Sequence, residues 1–154
     1  MISLVDSIEI EAAPEKVFEW LVQRFKDKEA YQAWHPDHVD VRWIKGGPLE
    51  EGSISYVEEY LHGQLHKLKF VTTKIVPNKE IEYRFLFPWS IIAPRNTFLI
   101  EPKGKRSCIF TATVSFKGIP LFKKLAKNEI GAIKLHMKEE GENLKNMLES
   151  KERR

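Results

Sequence analysis

The sequence carries a histidine and a glutamate four residues apart, His136 and Glu140, on the apolar face of a predicted helix near its C-terminus. Side chains at positions i and i+4 project from successive turns of one helix face, so both can reach one metal ion or each other. A buried ionisable pair is costly unless a partner compensates it. The pair therefore indicates either half of a metal site or a plain His–Glu pair at the mouth of a pocket.

Two histidines lie close together in the segment Trp34-His35-Pro36-Asp37-His38. This segment falls where the N-terminal helices give way to strands, and Pro36 makes it rigid. A neutral imidazole is a common metal ligand. Because the helix pair needs partners from elsewhere, we expect His35 or His38 to supply one of them.

Two adjacent glutamates, Glu58 and Glu59, stand in the predicted strand Tyr56-Val57-Glu58-Glu59-Tyr60. Side chains alternate between the two faces of a strand, so only one of the carboxylates can face a pocket. If Val57 and Leu61 point inward, Glu59 is the buried carboxylate. If Tyr56 and Tyr60 point inward, Glu58 is the buried carboxylate. An apolar lining around a carboxylate favours Glu59.

Further polar residues are candidates to orient a ligand or relay a proton. His38, Tyr60 and Asn96 are the catalytic candidates, and Asn96 follows a proline at a strand start. His62 and His66 flank the turn at Gly63, where a solvated histidine is the expected role.

The composition predicts one domain over residues 1–150 with a frayed tail at 151–154. The chain has 154 residues and a net charge of +3, with acidic and basic residues interleaved, which does not indicate nucleic-acid binding. The single cysteine, Cys108, and the absence of a long apolar segment predict a cytoplasmic protein without a membrane span. We expect a monomer or a homodimer.

The order of predicted elements is β, α, six further strands and a long helix. A first strand is followed by a helix that is predicted at Pro14 to Phe25. The polar stretch 26–34 is predicted to continue this helix. The strands are predicted at 39–45, 53–61, 65–76, 80–87, 96–102 and 106–117, and the last helix at Leu121 to Glu149. Such a helix is buried if an antiparallel sheet curls around it. The fold class is therefore α+β, with about seven curved strands around a long C-terminal helix.

This order, opened by the segment Ile10 to Leu21, resembles the helix-grip (START-like, SRPBCC) superfamily over nearly the whole chain. Within it, the core domain of the 2,4-diacetylphloroglucinol hydrolases and phloretin hydrolases is similar at three places: Trp34-His35-Pro36, Glu58-Glu59 and His136 to Glu140. That resemblance implies a zinc ion, with manganese or iron possible, held by His35 or His38, Glu59 or Glu58, His136 and Glu140. It also implies C–C bond hydrolysis of a small acyl-phenol or β-diketone-like compound.

Those hydrolases are longer than this chain, so the metal motif can be shared without the substrate. Two other functions remain open. One is a carrier for a small aromatic or hydrophobic molecule, whose head group the polar pair anchors. The other is a polyketide cyclase-like enzyme that uses an acid/base pair without a metal.

Overall fold

The computed structural model of the chain describes residues 2–87, 89–91, 93–117 and 127–152, with side chains up to residue 150. The strands are β1 (Ile2–Ile10), β2 (His38–Lys45), β3 (Ile54–Leu61), β4 (Gln64–Val76), β5 (Glu80–Phe85), β6 (Arg95–Pro102) and β7 (Cys108–Phe116). The helices are α1 (Pro14–Arg24), α2 (Lys28–Trp34) and α3 (Lys127–Glu152), with a 3-10 turn at Trp89–Ile91.

The two N-terminal helices follow from local signals in the sequence. Pro14 begins α1 in its first turn, and Val17, Trp20 and Leu21 form its buried stripe. The segment predicted to continue this helix instead forms a separate helix, because the Asp27 carboxylate caps α2 by accepting the Ala30 backbone N–H. The chain therefore turns between the two helices.

The sheet contains seven antiparallel strands in the order β1-β7-β6-β5-β4-β3-β2. Each predicted strand is present, with ends within two residues of the expected positions. Side chains of alternating residues on the concave face, including Val57, Phe70, Ile81, Phe98 and Phe110, belong to the hydrophobic core. The sheet thus presents one apolar face toward the helices.

Helix α3 lies against this concave face. Its side chains Met137, Leu144 and Leu148 are buried, and Ile130, Ile133 and Met147 pack partly buried against them. The predicted helix start at Leu121 lies outside the described residues, as does the rest of the predicted helix up to residue 126. The expected helix-grip arrangement is confirmed: a curved antiparallel sheet holds a long C-terminal helix.

A substitution on α3 measures how strongly the sheet holds this helix. Leu144 has no exposed surface, so Leu144→Ala should lower the free energy of unfolding by about 2–5 kcal/mol in urea titrations. Leu135 on the same helix is 57% exposed and serves as the control, since Leu135→Ala should change that free energy by less than about 0.5 kcal/mol. Equal effects of the two substitutions would contradict the described packing.

Candidate metal and ligand site

A cavity of about 420 Å³ lies between the concave face of the sheet and α3. Most of its wall is aromatic or aliphatic, from residues such as Phe25, Leu68, Phe70, Phe85 and Phe98. The polar residues on the wall are few: Tyr31, Glu59, His66, Tyr83, Thr113, Glu129, His136 and Glu140. An apolar cavity with a few converging polar groups is the usual form of a small-molecule site.

His38 reaches this cavity because of two local features. Pro36 keeps His35 in an extended conformation (φ −153°, ψ 138°), which ends α2 and begins the turn into β2. A β-bulge at Val39 then shifts the pairing, so that His38 instead of Val39 lies opposite Glu59. The buried His38 therefore points to the same side as Glu59.

The alternation of β3 separates the two adjacent glutamates. Val57, Glu59 and Leu61 line the cavity. Glu58 lies on the opposite face, where it accepts a hydrogen bond from the Tyr56 hydroxyl. Of the two carboxylates considered as ligands, the structure places Glu59 in the site and not Glu58.

His136 and Glu140 reach the cavity from α3, and their i,i+4 spacing puts His136 Nε2 3.4 Å from Glu140 Oε2. Two hydrogen bonds hold this part of α3 against α2. The indole N–H of Trp34 donates to the backbone carbonyl of Glu140 (3.0 Å), and the Asn143 amide donates to the carbonyl of Trp34 (2.9 Å). The helix pair is therefore fixed relative to the turn that carries His38.

Four side chains converge at one point: His38, Glu59, His136 and Glu140, which we call the four-residue cluster. His38 Nε2 lies 3.3 Å from His136 Nε2, 3.0 Å from Glu140 Oε2 and 4.0 Å from Glu59 Oε2. His136 Nε2 lies 3.7 Å from the same oxygen of Glu59. Ligands about 2.0–2.1 Å from a tetrahedral zinc ion lie about 3.3 Å from one another. The separations of 3.0–3.4 Å among the donor atoms of His38, His136 and Glu140 fit such an ion. Glu59 lies farther away, 3.7 Å from His136 and 4.0 Å from His38.

Tyr31 supports the cluster from outside by three contacts. Its backbone carbonyl lies 2.9 Å from His38 Nδ1, and since a carbonyl can only accept, the proton is on Nδ1. Its hydroxyl donates to Glu59 Oε2 (2.9 Å), and its ring stacks on the His38 ring at 3.8 Å. With Nδ1 held in this way, His38 directs its Nε2 at the cluster, and this is the nitrogen that a metal would bind.

The cluster concentrates negative charge in an apolar surrounding. Burial lowers the pKa of His136, but the Glu140 carboxylate and, more weakly, Glu59 outweigh it and raise that pKa to about 10. Burial alone would raise the pKa of Glu140, but His136, with a hydrogen bond from His38, holds it well below its usual range. Two carboxylates here therefore require a proton or a cation beside them.

The structure does not bring every candidate into the cluster. His35 is buried beside it, with its ring 4.5 Å from that of His136, but its Nδ1 accepts the Asp37 backbone N–H and its Nε2 lies 3.2 Å from Glu139. His35, Asp37 and His136 also come within ligand distance of one another. Because both ring nitrogens of His35 have other partners, we take His38 as the imidazole of the cluster.

Two of the catalytic candidates lie away from the cluster. Tyr60 is 44% exposed and shares the outer face of β3 with Glu58, so the structure places this catalytic candidate outside the cavity. Asn96 is buried on the concave face, opposite Tyr83 in the neighbouring strand, but makes no contact with the cluster.

The sequence analysis missed two tyrosines, Tyr31 and Tyr83. Tyr83 shares the inward face of β5 with Ile81 and Phe85, and this alternation was a signal that could have identified it. Burial raises the pKa of Tyr83, and Glu140 and Glu59 raise it further, so its hydroxyl stays protonated. Tyr31 had no such signal, because two of its three contacts are made by its backbone carbonyl and by ring stacking, which no pattern in the sequence marks.

The sheet, the helix and the cavity together define a helix-grip fold with an internal, mostly apolar cavity. The sequence profile of the polyketide cyclase / dehydrase and lipid transport family matches residues 1–149, so the chain belongs to that family. No curated protein sequence matches the chain significantly. Among the residues described, no helix is long and apolar enough to cross a membrane.

Solved structures share the fold at low sequence identity. A norcoclaurine synthase point mutant from Thalictrum flavum, in complex with a transition-state analogue, is 15% identical, with a TM-score of 0.74 over 97% of this chain and 96% of that one. The di-domain ARO/CYC protein BexL of the BE-7585A biosynthetic pathway is 12% identical (TM-score 0.69; 97% and 47% covered), and Ara h 8.0201 is 13% identical (TM-score 0.66; 97% and 98%). Such identities establish the fold and not the activity.

Proposed function

We propose that this protein is a metal-dependent hydrolase that cleaves a C–C bond of a small acyl-phenol or β-diketone-like compound inside the cavity. The observation that carries the proposal is the convergence of three donor atoms, from His38, His136 and Glu140, at distances suited to one ion, with the Glu59 carboxylate 3.7 Å from His136 as the fourth candidate ligand. Two imidazoles and two carboxylates suit zinc, with manganese or iron as alternatives.

A divalent cation in this cluster would polarise a substrate oxygen or lower the pKa of water. The chain's own residues would do the rest. The aromatic wall, including Phe70, Phe85 and Phe98, would hold the ring of the substrate and exclude water. Tyr31 would hold Glu59 and His38 in place through its hydroxyl and carbonyl.

The proposed reaction consumes one water molecule. The bond between the acyl carbon and the ring carbon breaks, the acyl carbon gains the hydroxyl of water, and the ring carbon gains a proton. A phenol and a carboxylic acid result. The resemblance to the 2,4-diacetylphloroglucinol hydrolases motivates this chemistry, because the residues similar to that family's ligands include all four members of the cluster.

A second candidate function is that of a binding protein or a metal-free cyclase. It is favoured by the apolar cavity wall and by the raised pKa of His136, since a protonated histidine can balance the carboxylates without a metal. Family membership is compatible with this function too. Metal content distinguishes the two candidates.

The first prediction concerns metal content. Protein purified without a histidine tag and loaded with zinc should retain about one ion per chain by elemental analysis after dialysis. Each of four single substitutions in the cluster should lower retention well below one ion per chain, because each removes or weakens a donor: His38→Ala, Glu59→Gln, His136→Ala and Glu140→Gln. A wild-type protein that retains no zinc, manganese or iron would contradict the hydrolase proposal and leave the binding function.

Three of these four substitutions, at His38, Glu59 and Glu140, have a matched control close by in the sequence. The controls change the same residue types within three positions of a cluster member: His35→Ala, Glu58→Gln and Glu139→Gln. None of these three residues belongs to the cluster. All three variants should retain about one ion per chain. Loss of the ion from Glu58→Gln in particular would show that the described register of β3 does not position the ligand.

The second prediction concerns Tyr31. Tyr31→Phe keeps the carbonyl and the stacked ring and removes only the hydroxyl that holds Glu59, so zinc affinity should fall about 10–100-fold in competition with a chelator. Tyr56→Phe removes a comparable tyrosine–glutamate hydrogen bond on the outer face and should leave zinc affinity unchanged. If both variants bind zinc like the wild type, Tyr31 has no positioning role.

The third prediction concerns activity. Zinc-loaded protein should release a carboxylic acid from at least one member of a panel of acylphloroglucinols and β-diketones. The acid is measured by chromatography. Glu140→Gln should lower kcat/KM by more than about 100-fold, and Glu139→Gln should not. A protein that binds zinc but cleaves no member of the panel would refute the substrate class and leave the metal site intact.

A further inference from the structure

His66, near the start of β4, is a histidine on the cavity wall that the proposed reaction does not use. It shares the inward face of this strand with Leu68 and Phe70, which also line the cavity. Its side chain is only partly buried, so a molecule held in the cavity can reach it. The sequence favoured a solvated role for His66, and the structure instead places it on the wall.

The register of β3 and β4 places His66 next to the four-residue cluster. His66 is the direct cross-strand partner of Glu59, a member of that cluster. Cross-strand partners point to the same face of a sheet and lie about 4.5–5.5 Å apart at their Cβ atoms. A molecule that contacts Glu59 from within the cavity therefore has His66 at its side.

The His66 imidazole retains its capacity for hydrogen bonding. A neutral imidazole has one nitrogen that donates and one that accepts. In the part of the chain that the structure describes, neither nitrogen of His66 has a hydrogen bond or an ion pair with another residue. The ring packs edge-to-face against Trp89, which also lines the cavity, with centroids 6.1 Å apart. The imidazole is thus held at one place on the wall while its nitrogens stay available to a ligand.

We propose that His66 is a specificity-determining residue, which hydrogen-bonds a second oxygen of the bound molecule while the first faces the four-residue cluster. Because His66 and Glu59 are neighbours on one face, a single aromatic ring with two oxygen substituents can contact both. A polar group at a fixed place in an apolar wall sets the orientation of such a ring. This inference rests on the proposed function, because it takes the cavity as the substrate site and specifies which phenols it accepts.

The test compares two probes that differ by one hydroxyl, 4-butylresorcinol and 4-butylphenol, by calorimetric titration in the presence of a chelator. Wild-type protein should bind the resorcinol at least about fivefold more tightly than the phenol. His66→Phe keeps a ring beside Trp89 and should bind both probes equally. The ratio of the two affinities is compared between proteins, so a loss of packing that affects both probes cancels. Equal binding of the probes by the wild type, binding of neither, or an unchanged preference in His66→Phe would overturn the proposal.

Two further variants separate ligand binding from a structural role. His66→Gln retains a donor and an acceptor and should prefer the resorcinol more strongly than His66→Phe does. His62→Asn changes an exposed histidine outside the cavity and should keep the wild-type preference, since Asn tolerates the left-handed backbone there (φ 52°). A lowered Tm in both His66 variants with an unchanged preference would assign His66 a structural role and overturn the proposal.

The experiment fails independently of the metal proposal. Neither probe has a carbonyl group that could be hydrolysed, and the chelator removes any ion from the cluster. A protein that retains no metal but prefers the resorcinol through His66 would refute the hydrolase and keep the role of His66. A protein that retains zinc and shows no preference between the probes would do the reverse.

Discussion

Two carboxylates and two imidazoles share a small volume in an apolar surrounding, and their mutual electrostatics constrain the rest of the site. Glu59 and Glu140 cannot both stay ionised beside neutral rings without a compensating positive charge. One source of this positive charge is a proton on His136, whose pKa is raised. The other source is a divalent cation. Either source depends on side chains that cannot move apart, and for that reason Tyr31, Trp34 and Asn143 matter as much as the donor atoms.

The resemblance in fold and the geometry of the cluster support different conclusions. Family membership and structural similarity at 12–15% identity establish a sheet that grips a helix around a cavity. Folds of this kind hold sites of unrelated chemistry, so the activity must be argued from the side chains on the wall. Here those side chains are an aromatic lining, one polar cluster and the imidazole of His66 beside it.

Much of the architecture was predictable, because strands and helices leave periodic patterns. The i,i+4 spacing of His136 and Glu140 anticipated their shared helix face, and alternation around Val57 favoured Glu59 over Glu58. The choice between His35 and His38 was not predictable, since it depends on a one-residue bulge at Val39 that no propensity marks. Tyr31 was missed because its role lies partly in its main chain.

The position of α3 at the end of the chain also governs when the cluster can exist during folding. His38 is separated by 98 residues from His136 and by 102 from Glu140, so the donor atoms meet only through contacts of very long sequence separation. The cluster is complete only when α3 is docked on the sheet, because His136 and Glu140 are carried by that helix. A molecule or ion bound at the cluster would therefore join the first and last thirds of the chain, and it would stabilise the fold by binding only while α3 is docked.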